Sequence, residues 1–142
     1  LRWDSLGEFL ALAVSLEDLA LKTGNDKAKV LTKTLNEANS AFLANNRSPS
    51  RKCGEIDNRG SQFYLTKYWI EALAAQTEDE ALKSKFGPLA DKIKASEEKI
   101  MKELIACQGG KVDLGGYYFT DDMKTIKAMR PSELFNEIVD SI

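Results

Sequence analysis

Apolar residues recur at three- and four-residue intervals along most of this chain, the spacing that places them on one face of an α-helix. Leu6, Phe9, Leu10, Ala13, Leu16, Leu19 and Ala20 form the first such stripe. Ser5 and Glu8 stand at capping-box spacing at its start, and Gly24 is placed to end it in a left-handed cap. Val30, Leu31, Thr34, Leu35, Ala38 and Phe42 predict a second helix, close enough to the first to pack antiparallel to it. From Asn45 to Gly60 the period vanishes and turn formers dominate, making this the longest loop. A third helix is expected from about Ser61 to Gln76, rich in aromatic residues: Phe63, Tyr64, Tyr68 and Trp69. Thr77 and Glu80 offer a capping box to a fourth helix, which Gly87-Pro88 should kink or restart before it ends near Gly109-Gly110. Residues 112–119 allow at most a short extended stretch, weakened by Gly115-Gly116. Two short helices, from about Thr120 to Ala128 and from Ser132 to Ile142, close a mainly α chain with one core.

Length and composition narrow the function classes. The 142 residues suit one compact unit, and 43% hydrophobic with 30% charged residues is an ordinary globular balance. No apolar run reaches membrane-spanning length, and a net charge of -2 gives no global field to attract nucleic acid or anionic lipid. Any anion site must be local. Histidine is absent, which removes the commonest general base and metal ligand. Cys53 and Cys107 are too few for a disulfide framework, so free thiols in a reducing compartment are expected. The opening Leu1-Arg2-Trp3-Asp4, directly against a helix start, reads as a piece of something longer.

Two places could hold an anion. The Arg47 to Gly60 loop carries Arg47, Arg51, Lys52 and Arg59 against Glu55 and Asp57, with the hydroxyls of Ser48 and Ser50 beside Arg51. Arginine's planar fork suits bidentate contact with phosphate or carboxylate, and hydroxyls and backbone N–H groups complete such a cradle. The competing reading is a solvated basic loop in which Asp57 and Arg59 pair internally. The second place is Arg2-Trp3-Asp4-Ser5, where a helix N-terminus and a full positive charge coincide, or where a cap simply carries a flanking ion pair. Asp121-Asp122 reads as first-turn acid complementing a helix dipole, and the glycine pairs lack the spacing of a phosphate-binding fingerprint.

Asn45-Asn46-Arg47-Ser48-Pro49-Ser50-Arg51-Lys52, then Gly54-Glu55 and Asp57-Asn58-Arg59-Gly60-Ser61, is an unusual run. With Phe63-Tyr64, Tyr68-Trp69 and Ala72 to Asp79, it resembles the monomeric NADP-dependent isocitrate dehydrogenases. Leu1 to Phe9, Gly115-Gly116-Tyr117-Tyr118 and Lys127 to Ser132 match the family in the same order. The resemblance implies a C-terminal segment, residues 1–142, of the large domain of a two-domain α/β dehydrogenase, cytoplasmic and monomeric as a whole protein. The family oxidatively decarboxylates isocitrate to 2-oxoglutarate with NADP and Mg2+ or Mn2+. Carried over by motif, Arg2, Asp4 and Arg51 would grip the adenosine end of NADP, the two arginines at its 2′-phosphate.

By the same resemblance the catalytic residues, the isocitrate-binding residues and the metal ligands lie in the remainder of the polypeptide, so this segment is expected to be inactive alone. The sequence departs from the family at Cys53, in place of a small aliphatic residue, and at Gln62, where histidine is frequent. No nucleic acid or membrane partner is expected. The alternative is a free-standing helical binding or scaffold module that uses the basic loop for an acidic partner.

Overall fold

The computed structural model describes residues 2–142; Leu1, the first residue of the Leu1 to Phe9 motif, lies outside the described residues. Six helices follow one another: α1 (Leu6–Thr23), α2 (Asp26–Ala44), α3 (Asn58–Ala75), α4 (Glu80–Ala106), α5 (Asp122–Met129) and α6 (Glu133–Asp140). The first four pack in sequence order, α1 on α2, α2 on α3 and α3 on α4, while α6 lies on α4. Each helix therefore needs an apolar stripe toward its neighbour, and the sequence supplies one.

Phe9 and Ala13 of α1 meet Leu35, Ala38 and Phe42 of α2 and Leu65 of α3 in one cluster. Phe9 and Phe42 are edge-to-face at 5.7 Å, an arrangement that adds quadrupole attraction to the area they bury. The second cluster joins Phe63, Tyr64, Ile70 and Leu73 of α3 to Phe86, Ile93, Ile100 and Leu104 of α4 and Ile138 of α6. Gly24 ends α1 at φ 65°, left-handed as its spacing required, and Asn25 caps α2 by accepting from the Ala28 N–H at 3.1 Å.

Three local expectations change. The Ser5–Glu8 capping box does not form, because the buried Ser5 hydroxyl instead accepts from Asn58 Nδ2 at 3.0 Å. Asp4 serves that end of α1, accepting from the Leu6 N–H at 2.9 Å. The box at Thr77 and Glu80 is likewise replaced: Asp79 is the cap, accepting from the Leu82 N–H at 2.9 Å. Gln76 folds under the turn, its Oε1 taking the N–H groups of Glu78 and Asp79.

The third change is larger. α4 runs unbroken for 27 residues and does not restart at Gly87-Pro88. An interior proline costs about 3 kcal/mol. Phe86, Ile93, Ile100 and Leu104 lie on one face across that point, and each is buried to within 8% of full exclusion. Burying such side chains is worth roughly 1.5–3 kcal/mol apiece, so the stripe outweighs the missing hydrogen bond. Residues 112–119 form no strand; the chain there closes on itself, with the Asp121 N–H bonded to the Leu114 carbonyl at 2.8 Å.

Candidate functional site

The basic loop is held at its start, its neck and its end. At its start, Arg47 turns inward: its guanidinium lies 3.8 Å over the Tyr64 ring, and Nε donates to the Tyr68 hydroxyl at 3.2 Å. The Arg47 carbonyl accepts from the Ser61 hydroxyl at 2.6 Å. At its end, Asp57 caps α3 through the N–H groups of Arg59 and Gly60. The same carboxylate takes Nε and Nη2 of Arg59 at 3.0 and 2.6 Å, and Arg59 Nη1 reaches the Ala128 carbonyl at 2.8 Å. The pair is buried, with side-chain exposures of 12% and 4%. Two of the four loop cations, Arg47 and Arg59, are therefore structural, and the expected Asp57–Arg59 pairing is present.

At the neck, the Ser50 N–H donates to the Ile56 carbonyl at 2.8 Å, pinching residues 50–56 into a small closed turn. The Ser50 hydroxyl bonds the Glu55 carboxylate and accepts from the Lys52 N–H at 3.2 Å, so it is occupied inside the loop. Arg2 fills the space beneath: Nη1 donates to the carbonyls of Ser50 at 2.6 Å and Ile56 at 3.2 Å. The Ser50 carbonyl belongs to the peptide bond that leads into Arg51. Arg51 and Lys52 stand at the exposed tip. Among the described residues, neither side chain has a hydrogen-bond or ion-pair partner.

The structure thus brings Arg2 and the Arg51 loop together across 48 residues of sequence. The Arg2-Trp3 stretch is fastened there by Asn58, which accepts from the Trp3 N–H at 3.0 Å and donates to the Trp3 carbonyl at 2.7 Å. Asp4 is exposed, with one carboxylate oxygen on the Leu6 N–H. Gln62 is exposed on the first turns of α3 and lines a cavity of about 320 Å³ with Trp3, Asn58 and Arg59. Cys53 and Cys107 are both free and line a second cavity of about 310 Å³ that Arg2 and Asp57 share. Among the described residues, no group of three or more His, Cys, Asp or Glu side chains is arranged to hold a metal ion. Among the described residues, no helix is long and apolar enough to cross a membrane.

Below Arg47, burial pushes the Tyr64 hydroxyl up to about 12, with the nearby Glu97 carboxylate adding to the shift. A folded value above the ordinary 10.0 means that the folded state holds the proton more tightly between those limits. Tyr64's contribution to stability is then complete below pH 10 and is lost as pH rises toward 12. Alkaline unfolding followed for the natural protein and for Tyr64→Phe checks this; the variant loses that part of the fall in stability. Equal slopes for the two would contradict it.

Comparison with known proteins decides the family. The model of the monomeric isocitrate dehydrogenase family matches residues 1–140. The chain belongs to that family. It is 57% identical over its whole length to isocitrate dehydrogenase (NADP) 2 of Colwellia maris and 54% identical to the protein of that name from Mycobacterium tuberculosis. It is also 57% identical, over 96% of its length, to isocitrate dehydrogenase (NADP) of Azotobacter vinelandii. These matches cover 19%, 19% and 18% of the respective relatives, so the chain spans about a fifth of their length. The mainly α fold expected for such a segment is the one observed.

Sequence reasoning misjudged one residue that builds this site and missed two, Asn58 and Gln108. Arg47 stood among the anion candidates but is a packing residue. Asn58 ties the Arg2-Trp3 stretch to α3. Gln108, at the far end of α4, touches the neck of the loop. Asn58 is legible in hindsight as the residue after a helix cap, whereas nothing local marks Gln108.

Proposed function

We propose that the protein containing this segment is an NADP-dependent isocitrate dehydrogenase and that the segment supplies the grip on the adenosine end of the coenzyme. Support for the reaction comes from the family and from the names its relatives carry. The observation that carries the local role is Arg51: an exposed guanidinium without a partner, on a loop whose other two arginines, Arg47 and Arg59, are committed elsewhere. A guanidinium with its donors free meets a phosphate dianion bidentately, and Lys52 beside it adds a second charge without a fixed geometry. Such a pair of charges suits a phosphate monoester and has no counterpart to satisfy on the uncharged ribose hydroxyl of NAD.

Arg2 contributes charge to the same place while bracing the turn. Three of its five N–H donors are used on Ser50, Ile56 and Gln108, which leaves two for a ligand. Asp4, with an unpartnered carboxylate oxygen, is suited to accept from a hydroxyl or amino group of the adenosine. NADP, held by these residues, would supply the oxidant for the conversion of isocitrate to 2-oxoglutarate and carbon dioxide. The residues that orient isocitrate, move its proton and hold Mg2+ or Mn2+ belong to the rest of the polypeptide in this reading.

The rest of the polypeptide also has a surface to cover here. Tyr117, Tyr118 and Phe119 are 90%, 88% and 93% exposed, and α1 presents Leu10, Leu12, Val14, Leu19 and Leu21 outward. Exposed apolar residues in such number mark a surface suited to an interface. The full-length protein is taken to be a single cytoplasmic polypeptide that acts as a monomer. Assay of that protein tests the proposal: isocitrate-dependent reduction of NADP, with a strong preference over NAD, is expected. Absence of turnover with isocitrate under conditions that reduce NADP elsewhere would refute the reaction.

A further inference from the structure

The loop that carries Arg51 is braced from outside as well as from within. Inside it, the Ser50 N–H bonds the Ile56 carbonyl, and the Ser50 hydroxyl bonds Glu55 and the Lys52 N–H. From below it is held by two side chains of other segments, Arg2 and Gln108. Gln108 follows the end of α4, where its own N–H donates to the Ile105 carbonyl at 3.1 Å, so its backbone is fixed to the longest helix of the fold. From there its amide oxygen accepts twice, from the Gly54 N–H at 2.9 Å and from Arg2 Nη2 at 2.7 Å. Its amide nitrogen donates to the Glu55 carbonyl at 3.0 Å and, more weakly, to the Leu104 carbonyl at 3.4 Å.

These bonds have a shared geometry. Gln108 holds the descending arm of the turn at residues 54 and 55, while Arg2 holds both sides of its neck at residues 50 and 56. The two side chains bond each other, so the four backbone contacts form one connected clasp. Only an amide can play the Gln108 part: it accepts two N–H groups on one atom and donates to a carbonyl from the other. A carboxylate there would face the Glu55 carbonyl with no proton to give, and a hydrocarbon would satisfy nothing. The fit is close on the neighbouring residue too. A side chain at Gly109, itself at φ 83°, would meet the Cys53 sulfur at 3.1 Å, so the chain at 108–109 runs tightly under the turn.

We propose that Gln108 is a positioning residue for NADP selectivity: through the Arg2 clasp it fixes the direction in which Arg51 meets the coenzyme's 2′-phosphate. This rests on the reading of Arg51 given above. In this arrangement Gln108 touches no part of the coenzyme and acts through the two arginines assigned to the 2′-phosphate, Arg51 on the turn and Arg2 in the clasp. Loosening the clasp lets the tip sample several orientations, and a bidentate phosphate contact tolerates little misalignment.

The test uses the full-length enzyme and steady-state kinetics with each coenzyme. Gln108→Met keeps the length and removes all four polar contacts. The expected result is a KM for NADP raised about tenfold, the loss of one ionic hydrogen bond's worth of binding, with kcat and the KM for NAD unchanged. In the Arg51→Ala background the same substitution should add much less than it costs alone, since most of its effect passes through Arg51. An equal rise for NAD, an unchanged KM for NADP, or additive losses in the double variant would each overturn the inference. Should Gln108→Met fail to fold, Gln108→Glu keeps the acceptor for Arg2 and Gly54 and loses only the donor. It should shift selectivity in the same direction by less, and unchanged selectivity would overturn the inference. A selective Arg51→Ala beside an unselective Gln108→Met refutes this inference alone, whereas an unselective Arg51→Ala refutes the phosphate reading and this inference with it.

Discussion

Replacing Arg51 with alanine in the full-length protein should weaken NADP binding on the order of ten- to a hundredfold, about 1.5–3 kcal/mol, while leaving NAD binding nearly unchanged. The selectivity follows from what Arg51 does in the fold, which is nothing else. Its side chain is exposed at the tip of a turn and has no bond among the described residues, so its removal costs no packing. The neighbouring cations behave differently. Arg47 is stacked on Tyr64 and bonded to Tyr68, and Arg59 is buried against Asp57. Removing either should cost stability before it costs coenzyme. Titration of both coenzymes into the two proteins by calorimetry distinguishes the roles; parallel losses for NADP and NAD in Arg51→Ala would remove it from the 2′-phosphate.

The second large effect is one of stability. Arg59→Met removes the partner of a carboxylate that is only 4% exposed. Asp57 would keep its two helix-cap N–H bonds but lose both guanidinium contacts, and the Ala128 carbonyl would lose its donor. Breaking one side of a buried pair costs about 3–5 kcal/mol, because the remaining charge is left uncompensated. The loss is also structural in reach, since Arg59 is what ties the start of α3 to the end of α5 across 69 residues. Chemical unfolding should show a transition shifted by that amount. A shift below about 1 kcal/mol would mean that the Asp57–Arg59 pair behaves like an exposed one.

How far the sequence showed this arrangement depends on the range of each interaction. The stripe of α1 is narrower than its spacing suggested, with Phe9, Ala13 and Ala20 buried and Leu10 and Leu19 exposed. The stripes of α2 to α4, the Gly24 cap and the break from Asn45 were readable because they are set by spacing within a few residues. The Ser5–Glu8 box was misread for the complementary reason. Its local geometry was available, but Asn58, 53 residues on, offered the buried Ser5 hydroxyl a better partner. Pro88 shows the same hierarchy, in that four residues packed on α3 and α6 carry the helix through a residue that would end it alone. Within the candidate site, the internal Asp57–Arg59 pair was offered by residue chemistry, whereas Arg51 was singled out by the motif it shares with the family. The clasp did not, because Arg2 and Gln108 meet across 106 residues and neither position announces the other.

The most direct test of the central claim is a crystal structure of the full-length protein with NADP bound, read at one distance: from the Arg51 guanidinium to the 2′-phosphate oxygens. Two contacts of about 2.7–2.9 Å, with the Arg2–Gln108 clasp intact beneath the turn, are the predicted result. Arg51 directed into solvent with the 2′-phosphate held by other residues would contradict the account.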